Sequence, residues 1–494
     1  MRFVAIAFLA LSFSCGFGSI GEVPSAPPVI NGPGGGNGEP PRVYIPASGI
    51  EVRDISLYQG VRVDLVVDGA EKQNRNAPVV AKGSASIFVH VDTGADFQPR
   101  EITARLSVES PGQDGWVLET TKEVSGSSDT SPQRSAFSFS VPQDVIGTES
   151  GYSIELFEGE EETRSFGRAE GARFPETGTS AFRAESTSGA FKVVLVPFAY
   201  NADGSGRLPP LDEATIADYK AHLSGMFPVE SLDLEVREPV QYNSRIGSNS
   251  GWSQWLDRLV EIRTADAPSP NTYYYGMAAP AQTFSAYCPR GCIAGLGYVP
   301  QAANTTLRTS VGIAFEDDNG VFTAVHEVGH SLGRGHAPCG GPAGVDRNFP
   351  YSGASIGDWG YDPVNDAWKD PSVFTDIMGY CRSQWISDYT FKAVFDRISY
   401  ANRTKNSFIY DPTDYRVGIV DENGDIEWRR ETTLPTPMKG YEVVVDLEEA
   451  GGTESAIEAQ LVPYDHIPGG TLFVPMPKDA PTSLSGPGLR KTAW

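Results

Sequence analysis

From about residue 49 to 188, apolar and polar positions alternate in short runs separated by turn residues. Ile55 to Leu65 (ISLYQGVRVDL), Ser86 to Val91 (SIFVHV) and Ala136 to Val141 (AFSFSV) each carry the period-two pattern of a strand with one face buried. A succession of such strands predicts an immunoglobulin-like β-sandwich over 49–188. Its place in the chain suits a spacer, a substrate-docking module or a prodomain. Its histidine, His90, falls within a strand and reads as a structural residue.

Near Phe191 the pattern changes to an α/β alternation. Val193 to Ala199 is a continuous apolar run, expected to be a buried strand, and Asp212 to Met226 places Ile216, Tyr219 and Leu223 on one helical face. Leu232 to Val240, Thr272 to Met277 and Ser310 to Phe315 read as further strands, and Trp252 to Arg263 as a second helix. Asp317 to Gly320 supplies a cap for a third helix. Ala337 to Phe374, rich in Gly, Pro, Asp and aromatics, is expected to be a long loop around a cleft. Ser387-Asp388 caps a helix that turns Phe391, Val394, Phe395 and Ile398 inward and closes this region, 189–405. Residues 406–494 return to β patterning. There Asp421 to Glu427 (DENGDIE) superficially resembles a calcium loop, but its glycine comes too early, and Asn-Gly predicts a hairpin instead. Calcium has no other support.

The chemistry is concentrated in His326 to His336 (HEVGHSLGRGH). On a helix, His326 and His330 lie four residues apart on one face and can reach a single metal ion. Gly333 can adopt the positive φ that ends the helix, so His336 can return from the loop as a third ligand. Three neutral imidazoles are a catalytic zinc set, because they leave a fourth position open. Glu327, beside the first ligand, is placed to take a proton from the attacking water.

Downstream, Thr375 to Cys381 reads TDIMGYC. Together the two segments resemble the metzincin clan of zinc endopeptidases, in which the long zinc motif is followed by a Met-turn. The resemblance implies that Met378 forms a hydrophobic floor beneath the metal. The Met-x-Tyr form is most similar to astacins and serralysins and implies that Tyr380 hydrogen-bonds the transition state. It further implies that Cys292 to Val299 is an edge strand above the cleft, where a peptide adds as a strand, an ordinary strand with bulges being the equal alternative, and that Cys381 to Trp385 walls the specificity pocket. The layout loosely resembles bacterial mucin-cleaving zincins of the StcE type. The implied activity is hydrolysis of extracellular proteins or glycoproteins; the alternative is an adhesin, binding glycan or matrix on an inactive protease scaffold. Retention of all three ligands and Glu327 favours the enzyme.

Length, charge and cysteine usage set the context. A chain of 494 residues exceeds one core. A net charge of −24 argues against nucleic acid and anionic membrane surfaces as partners, and a monomer is expected. Arg2 followed by the apolar run Phe3 to Phe13 reads as an export signal, with Cys15 a candidate lipid-attachment site at an imperfect lipobox. Residues 16–48, crowded with Gly and Pro, read as a tether. The expected location is therefore extracytoplasmic, either secreted or held at a bacterial surface by lipid. Four further cysteines then favour disulfides; proximity suggests Cys288–Cys292 and Cys339–Cys381 among three pairings. No cysteine lies between Cys15 and Cys288, so a cysteine switch has no residue to use. An acidic side chain could block the metal instead, as in astacins, but no position in the sequence stands out.

Overall fold

The computed structural model describes residues 45–129, 135–158, 169–316, 320–406, 411–449 and 451–494. The export segment, Cys15, most of the tether and Asp317 to Asn319 lie outside them. The described chain is rich in β structure and has few helices.

Two antiparallel sheets face each other in the N-terminal region. One orders Ile45–Pro46, Gly151–Glu158, Arg100–Glu109 and Trp116–Val124; the other contains Ile50–Val67, Ala85–Thr93 and Phe137–Val141. The alternation works as expected: Phe137, Phe139 and Val141 are buried while Ser138 and Ser140 are exposed. The second sheet is extended by a hairpin that the sequence did not reveal. Gly360–Asp362 and Ala367–Lys369, within the stretch read as a loop, pair with each other and dock on Gly60 and Val61. Strands of three residues are too short to show a period, which is why they read as loop. The junction is sealed by Trp385, 1 % exposed, whose indole N–H donates to Gly60 O at 2.8 Å. The sandwich and the helical region thus share one core, running from Leu57 and Ile87 to Tyr219, Leu223 and Phe391.

His90 is enclosed in this sandwich at 4 % exposure, and among the described residues neither ring nitrogen has a hydrogen-bond partner. Burial pushes its pKa from 6.5 down to about 4. The unfolded chain therefore binds the proton first, so stability is full above pH 6.5 and falls as pH drops toward 4. A shift of that size is worth about 3 kcal/mol. Between pH 7 and 4.5, His90→Gln should lose less stability than wild type in urea melts. Equal slopes would assign the acid sensitivity to other groups.

The central region is a sheet of order β2–β1–β3–β5–β4, where β1 is Phe191–Tyr200, β2 Leu232–Val236, β3 Thr272–Ala278, β4 Gly295–Gly297 and β5 Thr309–Ile313. All neighbours are parallel except β4, which runs antiparallel at the edge. Helices α1 (Glu213–Met226), α2 (Trp252–Asp266), α3 (Gly320–Ser331) and α4 (Asp388–Thr404) complete it. Asp212 caps α1 through Thr215 N, and Ser387 caps α4 through Thr390 N. The strand expected over Leu232–Val240 is interrupted: it stops at Val236 and a separate segment, Val240–Tyr242, resumes pairing with β1. Pro239 lacks the N–H that continuous pairing would need.

The C-terminal residues form a seven-stranded antiparallel sheet. Thr413–Val420 and Ile426–Leu434 make the expected hairpin, with the Asp421 side chain accepting from Asn423 N and Asp425 N in its turn. Tyr415, Val417, Val462 and Phe473 share a core with Trp252, Trp255 and Leu259 of α2. Asp257 of α2, 1 % exposed, is ion-paired with Arg430 and lies 3.6 Å from Arg429.

Candidate metal centre

Helix α3 is buried along the face that carries the motif: His326 is 7 %, Glu327 2 % and His330 0 % exposed. After Ser331 the chain turns through Gly333 at φ +83°, with Gly333 N donating to His330 O and Arg334 N to Gly329 O. This reversal brings His336 back over the helix. His330 Nε2 then lies 3.0 Å from His326 Nε2 and 3.1 Å from His336 Nε2.

The other nitrogen of each ring is held by a backbone carbonyl. His326 Nδ1 faces Ile377 O at 2.7 Å, His330 Nδ1 faces Arg334 O at 2.7 Å and His336 Nδ1 faces Ala343 O at 2.5 Å. Each Nδ1 must carry the proton to donate, which leaves every Nε2 as a lone pair. Burial pushes the three imidazoles down, His326 well below its usual value, His330 to about 3 and His336 to about 4, so all are neutral. Three convergent lone pairs at this spacing repel one another unless a cation lies between them. The donor set therefore fits a metal ion.

The segment Thr375 to Cys381 packs against this cluster. Met378 is 1 % exposed, and its Sδ sits 2.5 Å from where a Cβ on Gly329 would be, so this glycine makes room for it. Buried Asp376 shapes the turn: its carboxylate accepts from Met378 N at 2.8 Å and from Ser387 N at 3.0 Å, and it also takes the Ser387 hydroxyl. Asp376 was not singled out by sequence, since a carboxylate beside a motif carries no pattern of its own. Tyr380 is 42 % exposed with its hydroxyl 3.1 Å from His336 Nε2. Burial first, then the nearby Glu327 and Asp465 carboxylates, raise its pKa and keep the phenol protonated.

Disulfides join Cys339 to Cys381 and Cys288 to Cys292. The first ties the segment after His336 to the residue after Tyr380, reinforced by Tyr380 N donating to Cys339 O at 2.9 Å. Closing a loop of that length contributes about 4 kcal/mol in a chain-entropy account.

Edge strand β4 lies directly over Glu327. A Cβ on Gly295 would meet Glu327 Oε1 at 2.3 Å, so only glycine admits the carboxylate here. Among the described residues Glu327 Oε2 accepts no hydrogen bond, and the Asp465 carboxylate lies close to the Glu327 side chain. Burial and the Asp465 charge raise the Glu327 pKa well above the usual carboxylate range; a cation at the three nitrogens would act in the opposite direction.

Two residues at this centre come from the C-terminal sheet and went unread in the sequence. Asp465 Oδ2 is 3.1 Å from His330 Nε2, and His466 Nε2 is 3.7 Å from Glu327 Oε1. The signal available was an adjacent Asp-His pair in a chain with only six histidines.

The family model of Peptidase M66 matches residues 305–393, a span that contains the three histidines, Glu327, Met378 and Tyr380. That match supports a metallopeptidase, and hence a hydrolase, and the buried histidine cluster is compatible with a metal ion. No curated protein matches the chain. Among solved structures, similarity is found to a calcium-binding mutant of Bacteroides uniformis beta-glucuronidase 2, at 10 % identity over 47 % of this chain and 23 % of that one, TM-score 0.14. A putative beta-galactosidase from Bacteroides fragilis gives 11 % identity over 47 % and 39 %, TM-score 0.13. The chain thus spans less than two-fifths of either, and similarity this slight carries no argument about fold or activity.

Proposed function

We propose that the protein is a zinc-dependent endopeptidase of metzincin type that cleaves proteins or glycoproteins outside the cytoplasm. The observation that carries this reading is the convergence of His326, His330 and His336 through lone-pair nitrogens, with Glu327 beside them and an edge strand above. Zinc held by these three imidazoles supplies Lewis acidity at the reacting carbonyl.

The chain's own residues account for the remaining chemistry. A peptide adding to β4 would bring its scissile carbonyl over Glu327. Glu327 removes a proton from the attacking water and delivers it to the leaving amine, a role typically worth about 10²–10⁴-fold. Tyr380 donates its hydroxyl to the oxyanion that forms, for which a protonated phenol is required. Met378 and Asp376 hold the histidines in place from beneath. The sandwich over 49–188, the catalytic region over 189–405 and the C-terminal region over 406–494 form one exported unit in this reading, secreted or anchored through Cys15. No nucleic acid or calcium is needed.

Purified mature protein incubated with a mixed protein substrate should generate new internal N-termini, identified by labelling and mass spectrometry. Products confined to chain ends would exclude an endopeptidase. A mucin-type glycoprotein cleaved only while glycosylated would fix the substrate class; equal cleavage after deglycosylation would remove the mucin assignment.

A further inference from the structure

The three histidines do not face an open cleft. The turn between strands Glu454–Pro463 and Gly470–Pro475 of the C-terminal sheet reaches both edge strand β4 and helix α3, carrying Tyr464, Asp465 and His466 with it. One nitrogen from each of His326, His330, His336 and His466 lies within 4.8 Å of the others. The His466 ring centroid is 5.5 Å from those of His326 and His330 and 4.9 Å from that of His336, so it caps the triangle almost evenly. Its ring also stacks on Tyr380 at 5.3 Å and 25°.

The same turn occupies the free side of the edge strand. Tyr464 forms an antiparallel bridge with Tyr298, and Gly297 N donates to Asp465 Oδ1 at 3.0 Å. A peptide adding to β4 would need this side of the strand. The turn is braced by the Tyr464 and Tyr298 hydroxyls, each on Thr471 Oγ1, at 2.9 and 2.8 Å. Asp465, 8 % exposed, lies against the imidazole, its Oδ2 2.6 Å from His466 Nδ1.

We propose that the C-terminal sheet completes the metal centre, with His466 as a fourth imidazole ligand in the resting protein and Asp465 as its positioning residue. The proposal rests on the metallopeptidase reading. A centre with four protein nitrogens is closed, with no position left for water or a substrate carbonyl. The resting protein is therefore held at low activity, and hydrolysis proceeds only in the fraction of molecules whose 464–469 turn has withdrawn from the edge strand. No bond is made or broken within the chain; one ligand exchanges for another.

The test compares full-length wild type with His466→Ala and with His466→Phe, which keeps a ring against Tyr380 and so guards against a folding defect. Zinc affinity is read by competition with a chromophoric chelator, coordination by the absorption of the cobalt(II)-substituted protein, and cleavage on an unstructured peptide. Both variants should bind zinc at least tenfold more weakly, change the cobalt spectrum and cleave the peptide at least tenfold faster. Wild-type zinc affinity and spectrum in both variants would overturn the proposal. So would loss of cleavage at unchanged affinity, because His466 would then act on substrate. A wild type that binds no zinc would sink the metallopeptidase reading itself, a result distinct from either.

Discussion

Glu327→Gln should lower peptide cleavage by about 10²–10⁴-fold while leaving bound metal unchanged. The substitution keeps the shape of the side chain, which matters because Glu327 is 2 % exposed and pressed beneath Gly295. Glutamine fills the same space but cannot accept and return a proton. Its effect should therefore fall on kcat more than on KM, and metal per chain should match wild type. Retained activity in this variant would remove Glu327 from the mechanism. Loss of both metal and activity would show that the carboxylate builds the site rather than working in it.

The second large effect is expected at Asp376. Asp376→Ala would strand the N–H groups of Met378 and Ser387 and the Ser387 hydroxyl in a buried turn. Leaving buried donors unpaired costs about 1–3 kcal/mol each, and these act together, so a loss of about 3 kcal/mol or more is expected. Because Ile377 O holds His326 Nδ1, the damage should reach the metal. Disturbing such a supporting carbonyl typically weakens metal affinity about 10–100-fold. Thermal melting and chelator competition on the same preparation check both effects. A variant with wild-type melting and wild-type metal affinity would show that the turn is held by other contacts.

Much of the centre was legible because its geometry is local. His326, His330 and Glu327 owe their relation to one helix, and His336 to a turn only a few residues long. Such short-range relations leave a fixed spacing in the sequence. Alternation in the sandwich was equally visible, since Phe137, Phe139 and Val141 repeat with the pleat. What escaped were contacts between distant segments. Asp465 and His466 reach α3 across more than a hundred residues, and nothing in their neighbourhood announces a metal centre. The hairpin at Gly360–Lys369 was hidden for a related reason: its strands are short and its partner, Ile50–Val67, lies in another region of the chain. The flanking regions share cores with the central one, through Trp385 on one side and α2 on the other. Apolar patterning says which face is buried, but not against what.

The measurement that tests the central claim most directly is zinc content and peptide cleavage on one preparation, before and after chelation, for wild type and His330→Ala. Wild type should hold close to one zinc per chain, lose cleavage with the metal and regain it on readdition, while His330→Ala binds little and cleaves nothing. Undiminished cleavage by metal-free wild type would contradict the account.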